Sequence, residues 1–270
     1  MTCVGHALAC PYGFLVARLF AICAVAVLAA QAQSAPGAVS YVLLDANRKT
    51  VVAIDWRSAE VAVPLGSLVK PFTAVAYGQS HQMRFPVYQC GGVDCWLKTG
   101  HGRLGLSAAI AHSCNSYFRQ LAADVPVADV REVANHFGLP GPPLECDRET
   151  LFGMRREWLI PPLYAARAYA ELAARRAEPG IAQVIDGMRL SASIGTASAV
   201  GAALPGTSVL AKTGTAPCSH SPAAPGDGYA VVVYPGDSPR YVLLVRVHGE
   251  TGRQAAATAA HLLRDLAGAR

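Results

Sequence analysis

Strand-forming runs stand at both ends of this chain with helical patterns between them, and that order constrains the fold more than any other feature. Ala38–Asp45 and Val51–Trp56 are rich in β-branched and aromatic residues, and Ala46–Thr50 between them reads as a hairpin turn. Near the other end, Val209–Ala216, Gly228–Tyr234 and Tyr241–His248 repeat the pattern, the last two joined by the turn Pro235–Pro239. Helical patterns are expected over 67–77, 107–111, 116–123, 129–137, 162–177 and 181–192, with a closing helix over 252–266, and 80–103 reads as irregular. Strands that flank an inserted helical region imply an α+β fold. Its antiparallel sheet is formed by the N- and C-terminal segments and flanked by helices, with a helical subdomain inserted. The expected layout is one domain over 33–270, with an α/β part at about 38–78 and 205–270 and a helical part at about 79–204.

Residues 1–32 stand apart. Arg18 is their only charged residue, an apolar run follows from Leu19 to Ala30, and Ala30-Gln31-Ala32 forms a small-x-small site. This is the order of a secretory signal peptide. The run is shorter than the roughly 20 residues of a comfortable membrane span. Export to a periplasmic or other extracytoplasmic compartment is expected, with an uncleaved N-terminal anchor as the alternative. The net charge of +5 carries no basic run and no basic–aromatic interleaving, so no nucleic-acid partner is expected.

Of eight cysteines, Cys90, Cys95, Cys114, Cys146 and Cys218 lie beyond the leader. In an oxidising compartment they read as disulfide candidates. Cys90 and Cys95 enclose a short glycine-containing loop suited to a local bridge, and Cys146 and Cys218 form a second candidate pair. No second ligand pair at zinc spacing accompanies Cys90 and Cys95, so no metal is expected. Cys114 reads as a small buried side chain, and His101, His112 and His220 as structural.

Three short motifs carry chemistry. In Ser67-Leu68-Val69-Lys70 an unprotonated lysine amine three residues from a serine can take the hydroxyl proton and free the oxygen for acyl transfer. Ser113-Cys114-Asn115 and Lys212-Thr213-Gly214-Thr215 follow in order. S-x-x-K, S-x-N and K-T-G in this sequence resemble the penicillin-binding protein transpeptidase domain, within the serine DD-peptidase and serine β-lactamase superfamily. The likeness extends to the flanks: Val63–Phe72 looks like the PGS-x-x-KPF stretch, and Cys95-Trp96 through Phe118 is similar to the approach to S-x-N. It spans about residues 39 to 268.

The resemblance implies a penicillin-binding enzyme that acts on D-Ala-D-Ala stem peptides of peptidoglycan through a Ser67 acyl-enzyme. Lys70 would be the base, Ser113 the proton relay, Asn115 a substrate-positioning group and Lys212 a positive charge near the substrate carboxylate. Thr213 and Thr215 would bind that carboxylate, Gly214 would let substrate lie against the strand, and the N–H groups of Ser67 and Thr215 would form the oxyanion hole. No cofactor is implied. The partners implied are peptidoglycan stem peptides, β-lactams and a separate cell-wall protein. About thirty residues between the leader and Ser67 leave no room for a glycosyltransferase or pedestal module. Two alternatives stand beside a transpeptidase or carboxypeptidase. One is a serine β-lactamase, although Glu145 and Glu149 lack the E-x-x-L-N neighbourhood of class A enzymes and S-x-N replaces the S-x-V of class D. The other is a non-catalytic periplasmic domain that binds muropeptide or β-lactam.

Overall fold

A computed structural model describes residues 37–218 and 226–268. The expected leader and His220 lie outside the described residues. Among the described residues, no helix is long and apolar enough to cross a membrane.

The two ends of the chain build one sheet. Strands β1 (Val39–Asp45), β2 (Val51–Asp55), β7 (Leu210–Ala216), β8 (Asp227–Tyr234) and β9 (Tyr241–His248) assemble in the order β2-β1-β9-β8-β7. Every neighbouring pair is antiparallel. The first strand therefore pairs with the last, with Val42 opposite Leu244.

The apolar runs in β8 and β9 are continuous because both sheet faces are covered. Side chains alternate between faces. Tyr229, Val231, Val233, Val242 and Leu244 join a core with the helical region, whereas Ala230, Val232, Leu243, Val245 and Val247 join a second core. That second core is closed by α8 (Gly252–Gly268) through Ala255, Ala256, Ala259 and Leu263, spaced to put them on one helical stripe.

Between the sheet's two halves run α1 (Lys70–Ser80), α2 (Leu106–Ala111), α3 (Asn115–Ala123), α4 (Val127–His136), α5 (Pro162–Ala174), α6 (Ile181–Ser193) and α7 (Ser198–Ala203). The segment read as irregular holds a small hairpin, β4 (Tyr88–Cys90) with β5 (Gly102–Leu104). A pairing absent from the sequence reading joins β3 (Val63–Pro64) to β6 (Leu159–Ile160). It brings the Arg148–Phe152 3-10 turn toward the serine motif.

Candidate active site

The Ser67–Lys70 motif does not start an α-helix at Ser67. Gly66–Val69 forms a 3-10 turn, and α1 begins at Lys70 with Pro71 in its first turn, where a missing N–H costs nothing. Gly66 has φ +56°, and a Cβ there would stand 2.2 Å from the Thr215 carbonyl oxygen. A Cβ on Gly153 (φ +82°) would stand 2.1 Å from the Gly66 carbonyl oxygen. Three backbone segments thus meet at distances that no side chain permits. Tyr169 of α5 fixes the turn from below, its buried hydroxyl donating to the Leu68 carbonyl at 2.7 Å.

Strand β7 is a sheet edge, and the serine turn packs against it. Gly214 makes the contact possible, since a Cβ there would lie 2.4 Å from the Leu65 carbonyl. Lys212 is fully buried beneath this edge, while Thr215 is exposed. Thr215 Oγ1 accepts from the Gly252 N–H at 2.9 Å, and Thr213 Oγ1 donates to Thr196 Oγ1 at 2.6 Å.

The S-x-N motif sits at the break between α2 and α3. Ser113 adopts φ +51°, a left-handed conformation that costs a non-glycine residue about 1–2 kcal/mol. The twist turns both its carbonyl and its hydroxyl toward the buried lysines. Lys70 Nζ donates to the Ser113 carbonyl at 3.0 Å, to Ser113 Oγ at 3.4 Å and to Asn115 Oδ1 at 2.6 Å. Lys212 Nζ donates to the same Ser113 Oγ at 2.9 Å and to the Thr213 carbonyl at 2.8 Å. Ser113 Oγ therefore bridges two lysines that are both 0% exposed.

Burial disfavours the charged form of an amine. It brings Lys70 down to about 7, with nearby Cys114 and Cys95 acting in the opposite sense. It lowers Lys212 well below the ordinary lysine value, and the Lys70 charge lowers it further. Lys70 is thus poised to exchange a proton near neutral pH, as a general base requires. Above the lysines lies a cleft of about 390 Å³ lined by Ser67, Ser113, Asn115, Thr213, Gly214 and Thr215, with Trp96, Met154 and Arg253 among its other walls. All eight residues singled out from the three motifs lie in this cleft or under its floor.

The sequence profile of the penicillin binding protein transpeptidase domain matches residues 39–267. The chain belongs to that family. Solved structures of the family share its fold at low identity. The transpeptidase domain of penicillin-binding protein 3 from Burkholderia pseudomallei superposes with TM-score 0.71 at 18% identity, covering 87% of this chain and 88% of that one. Pseudomonas aeruginosa PBP2, solved with WCK 5153, gives TM-score 0.68 at 17% identity, covering 83% and 70%. Helicobacter pylori PBP2, solved in complex with MreC, gives 0.69 at 16% identity, covering 84% of this chain and 60% of that one. No curated protein sequence matches.

The cysteines of this transpeptidase domain correct the sequence reading. All five described cysteines are free, so neither expected disulfide is present. Cys90 and Cys95 both turn toward His101, with their Sγ atoms 3.6 and 3.4 Å from its Nδ1. Cys95 Sγ also lies 3.9 Å from Cys114 Sγ. Cys146 packs against the larger core, while Cys218 lies beside Asp227 and His248 at the far end of β8, which leaves the second pair unformed. Burial is the largest influence on Cys90 and opposes its thiolate, yet the backbone N–H groups of His101 and Gly92 and the Cys114 and Cys95 thiols together outweigh it and draw its pKa below the usual thiol value. Burial pushes the Cys114 thiol up to about 12. The grouping of His101 and Cys114 with Cys90 and Cys95 was missed because the reading sought a second close pair of ligands. A C-x4-C-x5-H run with a further cysteine in S-C-N was the available signal.

Glu149 is held by Arg119 Nη1 at 2.5 Å and Arg155 Nη2 at 2.8 Å. Glu145 is exposed.

Proposed function

We propose that this domain is an active-site-serine acyltransferase that acts on acyl-D-Ala-D-Ala ends of peptidoglycan stem peptides and is acylated by β-lactams. The observation that carries the reading is the convergence of two fully buried lysines on Ser113 Oγ beneath the cleft that Ser67 lines. In the first step neutral Lys70 takes the Ser67 hydroxyl proton as Oγ attacks the penultimate D-Ala carbonyl. The negative oxygen that forms is met by the Ser67 and Thr215 backbone N–H groups, a contribution of about 3–4 kcal/mol per donor in comparable sites. The C–N bond then breaks. The departing amine receives a proton through the Ser113 hydroxyl, which Lys70 and Lys212 flank and can reprotonate. A water molecule or an acceptor amine attacks the acyl-enzyme by the reverse route, which gives carboxypeptidase or transpeptidase chemistry respectively.

Substrate recognition follows from the edge strand. An extended peptide can add to the outer edge of β7 beside the serine turn, its backbone pairing with the strand and its terminal carboxylate reaching Thr213 and Thr215 above the Lys212 amine. Asn115 Oδ1 is engaged by Lys70, so its amide nitrogen is the group oriented for a substrate carbonyl. The β-lactamase alternative is less well supported, because both oxygens of the Glu149 carboxylate are ion-paired with arginines. Export to the compartment that holds peptidoglycan, with a cell-wall protein as partner, belongs to the same proposal.

The test is release of D-alanine from an N-acylated D-Ala-D-Ala peptide, with and without an amine acceptor. Turnover that Ser67→Ala abolishes supports the reading. Acylation that stops without D-alanine release from repeated cycles replaces it with the binding-domain alternative.

A further inference from the structure

The sulfur and nitrogen atoms of Cys90, Cys95, His101 and Cys114 all lie within 4.8 Å of one another. Bridged sulfurs would stand about 2.05 Å apart, whereas Cys95 Sγ and Cys114 Sγ are 3.9 Å apart. The contacts from Cys90 and Cys95 to His101 Nδ1 are 3.6 and 3.4 Å. A tetrahedron with metal–sulfur bonds of about 2.3 Å has edges of about 3.8 Å. The cluster therefore has the size of a metal coordination shell and not of a disulfide.

Its construction supports the same conclusion. Three ligands come from one β-loop-β unit: Cys90 ends β4, Cys95 lies in the loop and His101 immediately precedes β5. Gly92 and Gly100 close that loop with φ of +89° and +77°, where a Cβ would stand 2.0 Å from the Lys98 carbonyl oxygen and 2.2 Å from the Cys90 carbonyl oxygen. The fourth ligand, Cys114, is the middle residue of the catalytic turn and caps α3, accepting from the Tyr117 N–H at 3.4 Å. All three cysteines are buried. His101 directs Nδ1, the nitrogen free to take a metal, at the Cys90 and Cys95 thiols, while its Nε2 is buried with no hydrogen-bond partner among the described residues. Three thiolates and an imidazole with no open position suit a tetrahedral d10 ion of the structural zinc type.

We propose that Cys90, Cys95, His101 and Cys114 bind one zinc ion, which ties the β4–β5 loop to the Ser113–Asn115 turn of the active centre. The ion with its three thiolates carries one net negative charge, which suits the two lysines under the neighbouring cleft. Cys114 is then a positioning residue: it fixes from the backbone side the turn whose left-handed Ser113 is held by Lys70 and Lys212 through their hydrogen bonds. The same loop presents Trp96, whose indole donates to the His112 carbonyl at 2.9 Å and walls the cleft. The consequence for acylation rests on the function proposed above, whereas the zinc site itself does not.

Native mass spectrometry of the full chain, purified without chelator, is expected to show one zinc per chain. X-ray absorption at the zinc edge is expected to give about three sulfurs at 2.3 Å and one nitrogen at 2.0–2.1 Å. Cys95→Ser should lose the metal and Cys146→Ser should keep it, and Ser67→Ala should keep it whatever the fate of the acyl-transfer reading. Removing zinc from the unmutated chain should slow β-lactam acylation by about tenfold or more, in the range seen when supporting metal contacts are lost. A chain without zinc and with Cys90 linked to Cys95 would overturn the proposal, as would full zinc retention in Cys95→Ser. Unchanged acylation after zinc removal would overturn the positioning role.

Discussion

The rate of acylation by a β-lactam should follow the proton on Lys70. This amine is buried completely and held at about 7 by its desolvation. A single group with that pKa is roughly one-tenth neutral one pH unit below and roughly nine-tenths neutral one unit above. The second-order acylation rate should therefore rise about tenfold between about pH 6 and pH 8 and then level off. Lys70→Arg sharpens the test, because a guanidinium stays charged to a pH above about 12 and cannot serve as the base. Losing a general base typically costs about 100- to 10,000-fold, so the variant should react at least about 100-fold more slowly. The assay is stopped-flow acylation with a chromogenic β-lactam that does not itself titrate between about pH 5.5 and 8.5. A flat profile in the wild type, or an unchanged midpoint in Lys70→Arg, would refute the assignment of the base.

Three further outcomes follow from the same geometry. Lys70 has a pKa of about 7 when folded and 10.5 when unfolded, so the unfolded chain binds more protons in that window and stability rises with pH across it. Urea unfolding should show a gain of about 2 kcal/mol between about pH 7 and pH 9 that Lys70→Met lacks. Ser113→Ala removes the acceptor shared by two buried lysines and should cost about 1–3 kcal/mol in urea unfolding, with acylation at least about tenfold slower. Gly214→Ala would place a Cβ 2.4 Å from the Leu65 carbonyl and push β7 from the serine turn; acylation should fall about tenfold or more while far-ultraviolet circular dichroism is unchanged.

Much of the fold was legible because the signals were local. Strands β8 and β9 read as largely unbroken apolar runs because the sheet is covered on both faces there, Val231 joining one core and Val232 the other. The three motifs were legible because residue type and order alone specify them. The rest depends on contacts between distant segments. The 3-10 start at Gly66–Val69 is imposed by the approach of Thr215 and Gly153, about 150 and 90 residues away in sequence. The β3–β6 pair joins segments of two residues each, too short to announce themselves. The left-handed Ser113 is held by Lys70 and Lys212, which no pattern around residue 113 reveals. The cysteine cluster was misread for the same reason, since Cys114 reaches Cys95 only through the fold.

On the function proposed above, Ser67 forms an acyl-enzyme. Intact mass of the full chain after incubation with a fluorescent penicillin tests it most directly, followed by peptide mapping and compared with Ser67→Ala. One adduct per chain, on the peptide that contains Ser67 and absent from the variant, is the expected result. An adduct that persists in Ser67→Ala, or none on the unmutated chain, would contradict the claim.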